Sequence, residues 1–296
     1  MLNSIKGFTV ETTNICTLKC PKCARTELIE KFPGKWKNKQ LNLEHFKNFL
    51  DIDLNGLISV ICGDYGDAIY YDKLIEMVAW LKQSGTTISL HTNGSYKTKD
   101  WWDELVSHMD ANDRIVFAID GLPNTFTTYR INADWNSIKV GIDACRDNVT
   151  MVWQFIPFSF NEADMDKVEQ FSKDLGFNEF LVINSSRWSD KNDEFRPINP
   201  NEQEITWYNN RERAVSPRCK TTNLDHFITA SGYYAPCCHV PNHNFYYKTN
   251  FYKNRNLYDI SKTTISKILE SQETIKFFNN IETSKPNVCT YKCPEL

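Results

Sequence analysis

The sequence carries no surplus of basic charge: 34 Lys and Arg stand against 37 Asp and Glu, a formal net charge of −3. It therefore presents no electrostatic footprint for phosphate backbones or anionic bilayers, and nucleic acid is not an expected partner. Long hydrophobic runs are also missing. The stretches Leu57 to Cys62 and Thr150 to Phe158 fall far short of the ~20 residues a spanning helix needs, so no membrane anchor is expected. No basic flank followed by a long apolar region opens the chain, so no secretory signal is read there and a cytoplasmic location is expected. Histidine is scarce: there are six, the first of them His45.

Cysteine is plentiful, with ten in 296 residues. A reducing compartment does not use cysteines as a disulfide framework, which turns attention to metal or redox chemistry. Cys16, Cys20 and Cys23 form C-x3-C-x2-C, Cys62 and Cys145 stand alone, and Cys219, Cys237, Cys238, Cys289 and Cys293 fall in the last third. Three thiolates leave a tetrahedral zinc site one ligand short, and no histidine is near the first set. A [4Fe–4S] cluster held by three cysteines instead leaves one iron open to a small molecule.

The first two thirds of the chain alternate short β-rich runs with longer amphipathic segments. Strands are expected at Gly7 to Thr13, Leu57 to Cys62, Thr87 to His91, Arg114 to Asp120, Thr150 to Pro157 and Glu179 to Asn184. Helical spacing marks Leu43 to Ile52, Tyr71 to Gln83, Asp100 to Met109, Ile138 to Asp147 and Glu162 to Leu175. Strands separated by helix-length crossovers predict a parallel α/β sheet, open or curled into a full or partial barrel. Reactive groups then belong at the C-terminal strand ends. After Asn184 a polar tract with Pro197 and Pro200 reads as a linker, and the remainder shows a hairpin from Phe227 to Ala235 and a helical run from Ile265 to Phe278. That remainder is too small for an independent apolar core, so a metal site would supply the missing stability.

Cys16-Thr-Leu-Lys-Cys20-Pro-Lys-Cys23, in the loop after the first strand, resembles the hallmark of the radical S-adenosylmethionine superfamily. The resemblance implies a partial (β/α)6 TIM-like barrel. It makes Cys16, Cys20 and Cys23 ligands of a [4Fe–4S] cluster whose open iron binds S-adenosylmethionine. Reductive cleavage of that cofactor gives a 5′-deoxyadenosyl radical that takes a substrate hydrogen, chemistry that the cofactor carries and the protein positions. Lys22 stands where the family often has an aromatic. Gly63-Asp64-Tyr65-Gly66-Asp67 is similar to the family's glycine-rich segment, with Asp67 in place of Glu and Ala68 in place of Pro. On this reading Gly63, Asp64, Gly66 and Asp67 bind S-adenosylmethionine. Thr92-Asn93-Gly94 and Ala118-Ile119-Asp120-Gly121 resemble two further strand-end motifs, adding Asn93 and Asp120. Ala118 lacks the hydroxyl usual at its position, and Gln154 is the candidate to replace that contact. Arg130, in the segment after Asp120, is either a binder of an anionic group or an ordinary arginine.

Cys219-x12-Gly232-x4-Cys237 resembles the opening of the SPASM extension and its shortened twitch form. With Cys289 and Cys293 it would complete four ligands for one auxiliary [4Fe–4S] cluster; the glycine spacing favours Cys237 over Cys238. Such a cluster, fully ligated, would serve electron transfer or structure. Zinc is the alternative metal at both cysteine sets. The expected division is a barrel over residues 1–190, a linker over 191–206 and a cysteine-rich domain over 207–296. Cys62, at the end of the second strand, is a candidate hydrogen donor to a substrate radical or a buried apolar thiol. The expected function is oxidation or crosslinking of a peptide or protein, with an electron donor such as flavodoxin or ferredoxin. The alternatives are dehydrogenation or epimerisation of a small polar, aminocyclitol-like molecule, and a non-catalytic zinc-binding interaction protein.

Overall fold

Six short strands follow the expected order: β1 (Gly7–Val10), β2 (Ile58–Ile61), β3 (Thr87–Thr92), β4 (Arg114–Ala118), β5 (Thr150–Phe155) and β6 (Glu179–Val182). The structure is a computed structural model that describes residues 5–185, 187–188, 192–198, 216, 219, 226–244, 246–284 and 287–293. The six pair in parallel and in sequence order, with the crossovers supplied by α2 (Leu43–Phe49), α3 (Leu74–Gln83), α4 (Lys99–Ser107), α5 (Trp135–Cys145) and α6 (Met165–Asp174). A shorter α1 (Ala24–Lys31) precedes α2 in the first crossover. Its apolar pattern is too weak to announce it, and Cys23 is its N-cap residue without a side-chain capping bond.

The other helices begin where their sequences can satisfy the first N–H groups. Asn42, Thr98 and Asp134 each accept a hydrogen bond from the N–H three residues on, at His45, Trp101 and Ser137, caps worth about 1 kcal/mol apiece. Leu74, Met77, Val78 and Leu81 bury the inner stripe of α3 as the helical period requires. Phe8 of β1 meets Phe46 of α2, Phe117 of β4 meets Trp102 of α4, and Trp153 of β5 meets Phe171 of α6. These residues face the helix layer. Strand alternation then turns Thr9, Val60, Ser89, His91, Val116, Ala118, Val152 and Gln154 to the opposite, concave face.

The barrel does not close. β6 ends the sheet on one side, and on the other β1 pairs in parallel with β7 (His226–Ile228), which turns antiparallel into β8 (Tyr234–Ala235). Gly232 makes that turn with φ +77°, a left-handed conformation glycine adopts without Cβ strain. The C-terminal segment is thus joined to the barrel by backbone bonding. Its apolar residues Phe227, Tyr234, Ile260, Ile268 and Ile281 belong to the same contiguous core as the barrel, so it needs no core of its own. The expected run from Ile265 to Phe278 is two helices, α8 (Ile265–Glu270) and α9 (Gln272–Ser284), broken at Ser271; α7 (Asn250–Lys253) and α10 (Asn287–Lys292) flank them. The aromatic tract near Tyr246 is packing: Tyr246, Tyr247 and Tyr252 meet edge to face or tilted. Of the expected linker, residues 192–198 lie against the barrel, where Lys22 pairs with the buried Asp193 at 2.6 Å and Ser159 N donates to Phe195 O. The rest of 191–206 lies outside the described residues.

Helices α4 and α5 touch through Gly141, where an added Cβ would stand 2.7 Å from the Trp102 ring. Trp102 is fully buried between Trp101 and Phe117 and has no room to retreat. Gly141→Ala should cost about 1–3 kcal/mol through overpacking, read as a lower thermal midpoint with the far-UV spectrum retained.

Candidate active site

The C-terminal ends of β1 to β5 bring the sequence-marked residues together. Cys16, Cys20 and Cys23 occupy the loop leaving β1. Leu18 N lies 3.4 Å and Asn93 Nδ2 3.7 Å from the Cys16 sulfur, both as donors. Burial pushes the Cys16 thiol up to about 12 and the Cys20 thiol up to about 11, and each also feels the negative charge of neighbouring thiols. Deprotonation therefore needs a compensating cation, which a bound iron–sulfur cluster supplies. The loop packs into an aromatic cluster with Leu18, Tyr129, Phe158 and Trp188. Trp188 is thereby a packing residue, its ring 5.8 Å from that of Phe158.

The loop after β2 lies directly on the cysteine loop. A Cβ on Gly66 would stand 2.0 Å from Thr13 O, and one on Gly63 2.5 Å from Gly66 O, so both positions require glycine. Asp67 N donates to Ile15 O at 2.9 Å. The Asp67 carboxylate is buried and turned inward. It accepts from Thr92 Oγ1 at 2.8 Å, from Asn93 N at 2.6 Å, from Asn93 Nδ2 and from Ile69 N. Asn93 thus bridges Asp67 to Cys16, and Asp67 ties the loops after β1, β2 and β3 into one unit. Asp64 lies near enough to Glu11 and Cys62 to act on both electrostatically.

Asp120 lies two residues beyond β4 with φ +63°, a left-handed conformation that Asp tolerates better than most residues. Its carboxylate is fully buried and takes the Arg130 guanidinium, with Arg130 Nε 2.7 Å from Oδ2, and Ile156 N at 2.9 Å. Arg130 also acts electrostatically on the Cys20 thiol, its positive charge working against the upward push of burial. The arginine left open by the sequence is therefore part of the site. Ala118 and Gln154 are register partners on β4 and β5, which places Gln154 beside the position of the absent hydroxyl.

Glu11 carries no motif signal beyond an acid in the strand-like run Thr9-Val-Glu-Thr-Thr. It is buried, with Tyr65 N donating to Oε1 at 2.9 Å and Ala230 N to Oε2 at 3.3 Å. Burial, reinforced by Asp64, raises its pKa to about 8. Cys62 continues β2 beside it, with His91 next across the sheet on β3. Burial and Arg114 push His91 down to about 4, so it is neutral near pH 7. The Cys62 thiol is raised well above its ordinary value by burial, Asp64, Cys238 and Glu11. It is a protonated thiol on the concave side. Cys145 is fully buried in α5 and is core.

The second cysteine set gathers behind the β7–β8 hairpin. The Cys237 thiol feels Cys219 and Cys289, Cys289 feels Cys293, and the Tyr234 hydroxyl of β8 feels Cys219 and Cys237. Cys238 lies within 3.8 Å of His239 Nδ1 and acts electrostatically on Cys62. Among the described residues no three His, Cys, Asp or Glu side chains form a single-ion site. The donor sets themselves fit iron–sulfur clusters: three thiols beside two glycine contacts, and four thiols behind the hairpin.

The Radical SAM superfamily model matches residues 10–172, more than half of the chain. The chain belongs to that superfamily. An iron–sulfur cluster-binding domain model, SPASM, matches residues 219–294. A [4Fe–4S] cluster and S-adenosylmethionine are accordingly this radical SAM protein's cofactors, with auxiliary iron–sulfur ligation in the C-terminal segment. Its fold is similar to that of anSMEcpe with bound AdoMet, at 13% identity and TM-score 0.62 over 92% of this chain and 79% of the other. It is similar to SuiB of Streptococcus suis bound to S-adenosylmethionine, at 13% identity and TM-score 0.58 over 96% and 77%. SuiB bound to precursor peptide SuiA gives 10% identity and TM-score 0.62 over 94% and 67%. No curated protein matches the sequence. No helix among the described residues is long and apolar enough to cross a membrane.

The raised pKa of Glu11 makes folding stability depend on pH. Between the ordinary carboxylate value of 4.5 and about 8, the folded protein holds a proton the unfolded chain has lost. Stability therefore falls as pH rises through that window, by on the order of 3–5 kcal/mol. Glu11→Gln should flatten this dependence, measured as unfolding midpoints of wild type and variant between pH 5 and 8.

Proposed function

We propose that this radical SAM protein oxidises or crosslinks a peptide or protein substrate. The observation that carries the reading is the division of its thiols into two sets at the ends of one open sheet, three after β1 and four behind the β7–β8 hairpin. When bound, the cluster and S-adenosylmethionine supply a 5′-deoxyadenosyl radical that removes a hydrogen from the substrate. The chain's own residues hold that chemistry in place. Cys16, Cys20 and Cys23 would hold the cluster; Gly63 and Gly66 would let backbone approach S-adenosylmethionine; Asp67 fixes Asn93; and Asp120 holds Arg130, whose charge acts on Cys20. Cys219, Cys237, Cys289 and Cys293 would hold one auxiliary cluster, with an electron donor such as flavodoxin or ferredoxin as partner.

Two features support a peptide substrate. The solved relatives include SuiB bound to precursor peptide SuiA and anSMEcpe with bound AdoMet and Cp18Cys peptide. In this chain the sheet is open beside β6, and Leu181, Val182 and Ile183 are each more than a third exposed, giving an extended chain a lateral way in. The test begins with anaerobic reconstitution. About eight irons per chain are expected, with 5′-deoxyadenosine formed on reduction in the presence of S-adenosylmethionine. Cys16→Ala should abolish that product, whereas Cys289→Ala should retain it and drop the iron to about four. A captured peptide losing a hydrogen pair by mass spectrometry would complete the reading. Zinc in place of iron, or no deoxyadenosine from the wild type, would overturn it.

A further inference from the structure

We infer that Lys31, Lys35, Lys37 and Lys39, around Phe32, form the docking face for an acidic electron-carrier protein that delivers one electron to the cluster held by Cys16, Cys20 and Cys23. This rests on the reading of those cysteines as cluster ligands. The whole chain carries a net charge of −3, yet residues 31–43 hold these four lysines and no acid. All four are exposed, and none forms an ion pair with a described residue. Lysines on the barrel helices behave otherwise: Lys99, Lys139, Lys167 and Lys173 each hold an acid three or four residues away. Phe32 is 50% exposed, with the Lys31 ammonium 5.9 Å from its ring. Lys35 N donates to Phe32 O at 3.1 Å, closing a turn in which Gly34 takes φ +72°. An exposed aromatic tip rimmed by unpaired charge has the make-up of a protein interface, an apolar centre within a polar border.

The basic segment is fixed to the chain entering the cysteine loop. Asn14 N and Thr13 Oγ1 donate to Lys39 O at 3.1 and 3.0 Å, Asn14 Nδ2 donates to Lys37 O at 3.0 Å, and Lys39 N donates to Asn14 Oδ1 at 2.6 Å. These bonds use the backbone of the segment and leave the lysine ammonium groups free. Trp36 anchors it from behind, its ring 6.1 Å from that of Tyr65 and 5.9 Å from the Arg25 guanidinium. The Tyr65 hydroxyl in turn accepts from His243 N of the C-terminal segment at 2.9 Å. The face therefore stands beside β1, where the cluster loop meets the auxiliary segment. β2 to β5 separate it from the opening beside β6 that serves a peptide. Positive potential fixed there speeds encounter with a negatively charged partner, and redox encounters use small, transient interfaces. One electron passes from the reduced carrier to the oxidised cluster, and the carrier leaves oxidised by one electron.

The experiment uses reconstituted protein and, as the probe, a flavodoxin of strongly negative net charge. Its Kd is measured at low and high salt, and 5′-deoxyadenosine formation is followed with reduced flavodoxin or with dithionite, which is too small to need a docking face. Lys31→Gln/Lys35→Gln/Lys37→Gln/Lys39→Gln should weaken flavodoxin binding roughly tenfold at low salt and flatten its salt dependence. It should slow the flavodoxin-driven reaction and leave the dithionite-driven rate and the iron content as in wild type. Phe32→Ser should weaken binding with the salt dependence retained. A control, Lys99→Gln/Lys139→Gln/Lys167→Gln/Lys173→Gln, removes the same charge from the barrel helices and should bind as wild type does. Dithionite-driven product from the wild type tests the cluster reading by itself, whichever way the binding falls. Two results overturn the proposal. One is an unchanged flavodoxin Kd in the first variant, which together with lost binding of an oligoglutamate peptide would give the face to an acidic peptide. The other is an equal loss of affinity in the control, which would assign the effect to net charge.

Discussion

One carboxyl group joins the two halves of this protein. Glu11 receives the Tyr65 N–H on one oxygen and the Ala230 N–H on the other. The first belongs to the glycine-rich loop against the cysteine loop, the second to the hairpin in front of the auxiliary cysteines. β1 makes the joint possible because it pairs with β2 on one side and with β7 on the other. Moving the hairpin therefore means breaking ladder bonds and a buried carboxyl bridge together. Burying that carboxyl is costly, and its pKa near 8 expresses the cost. The same burial that makes the joint rigid makes it sensitive to pH.

Around the joint, polar groups at the strand ends are committed to one another before any ligand arrives. Asp67 spends its oxygens on Thr92, Asn93 and Ile69, and Asp120 on Arg130 and Ile156. A buried network with its members satisfied holds loops that apolar packing alone would leave loose. Glycine supplies the complementary freedom: at Gly66 the chain comes so close to Thr13 that any side chain would be expelled. Preorganisation of this kind suits a site that must orient a cofactor and shield a reactive species.

Much of this was legible in the sequence, for physical reasons that also mark where legibility stopped. The six strands and five of the six barrel helices follow from apolar periodicity, and the cysteine spacing locates the cluster loop. Helix α1 escaped because only two of its residues, Ala24 and Thr26, are buried, so it has no stripe to read. The parallel pairing of β7 with β1 is a contact across more than two hundred residues, which a three-residue strand cannot announce. Glu11 and Arg130 have partners set by tertiary folding alone.

The departures from the family's usual residues make sense together. Asp67 is one methylene shorter than the glutamate it replaces, and its carboxylate is drawn back to Thr92 and Asn93. Gly63 and Gly66 serve the packing of this loop on itself and on Thr13. Ala118 removes a hydroxyl, and its register partner Gln154 carries an amide on the same face. Lys22 replaces an aromatic, and its charge is balanced by Asp193 while Phe195 restores a ring nearby, 5.7 Å from the ammonium. At Ala118 and Lys22 a neighbour on another element carries chemistry like that missing from the position itself.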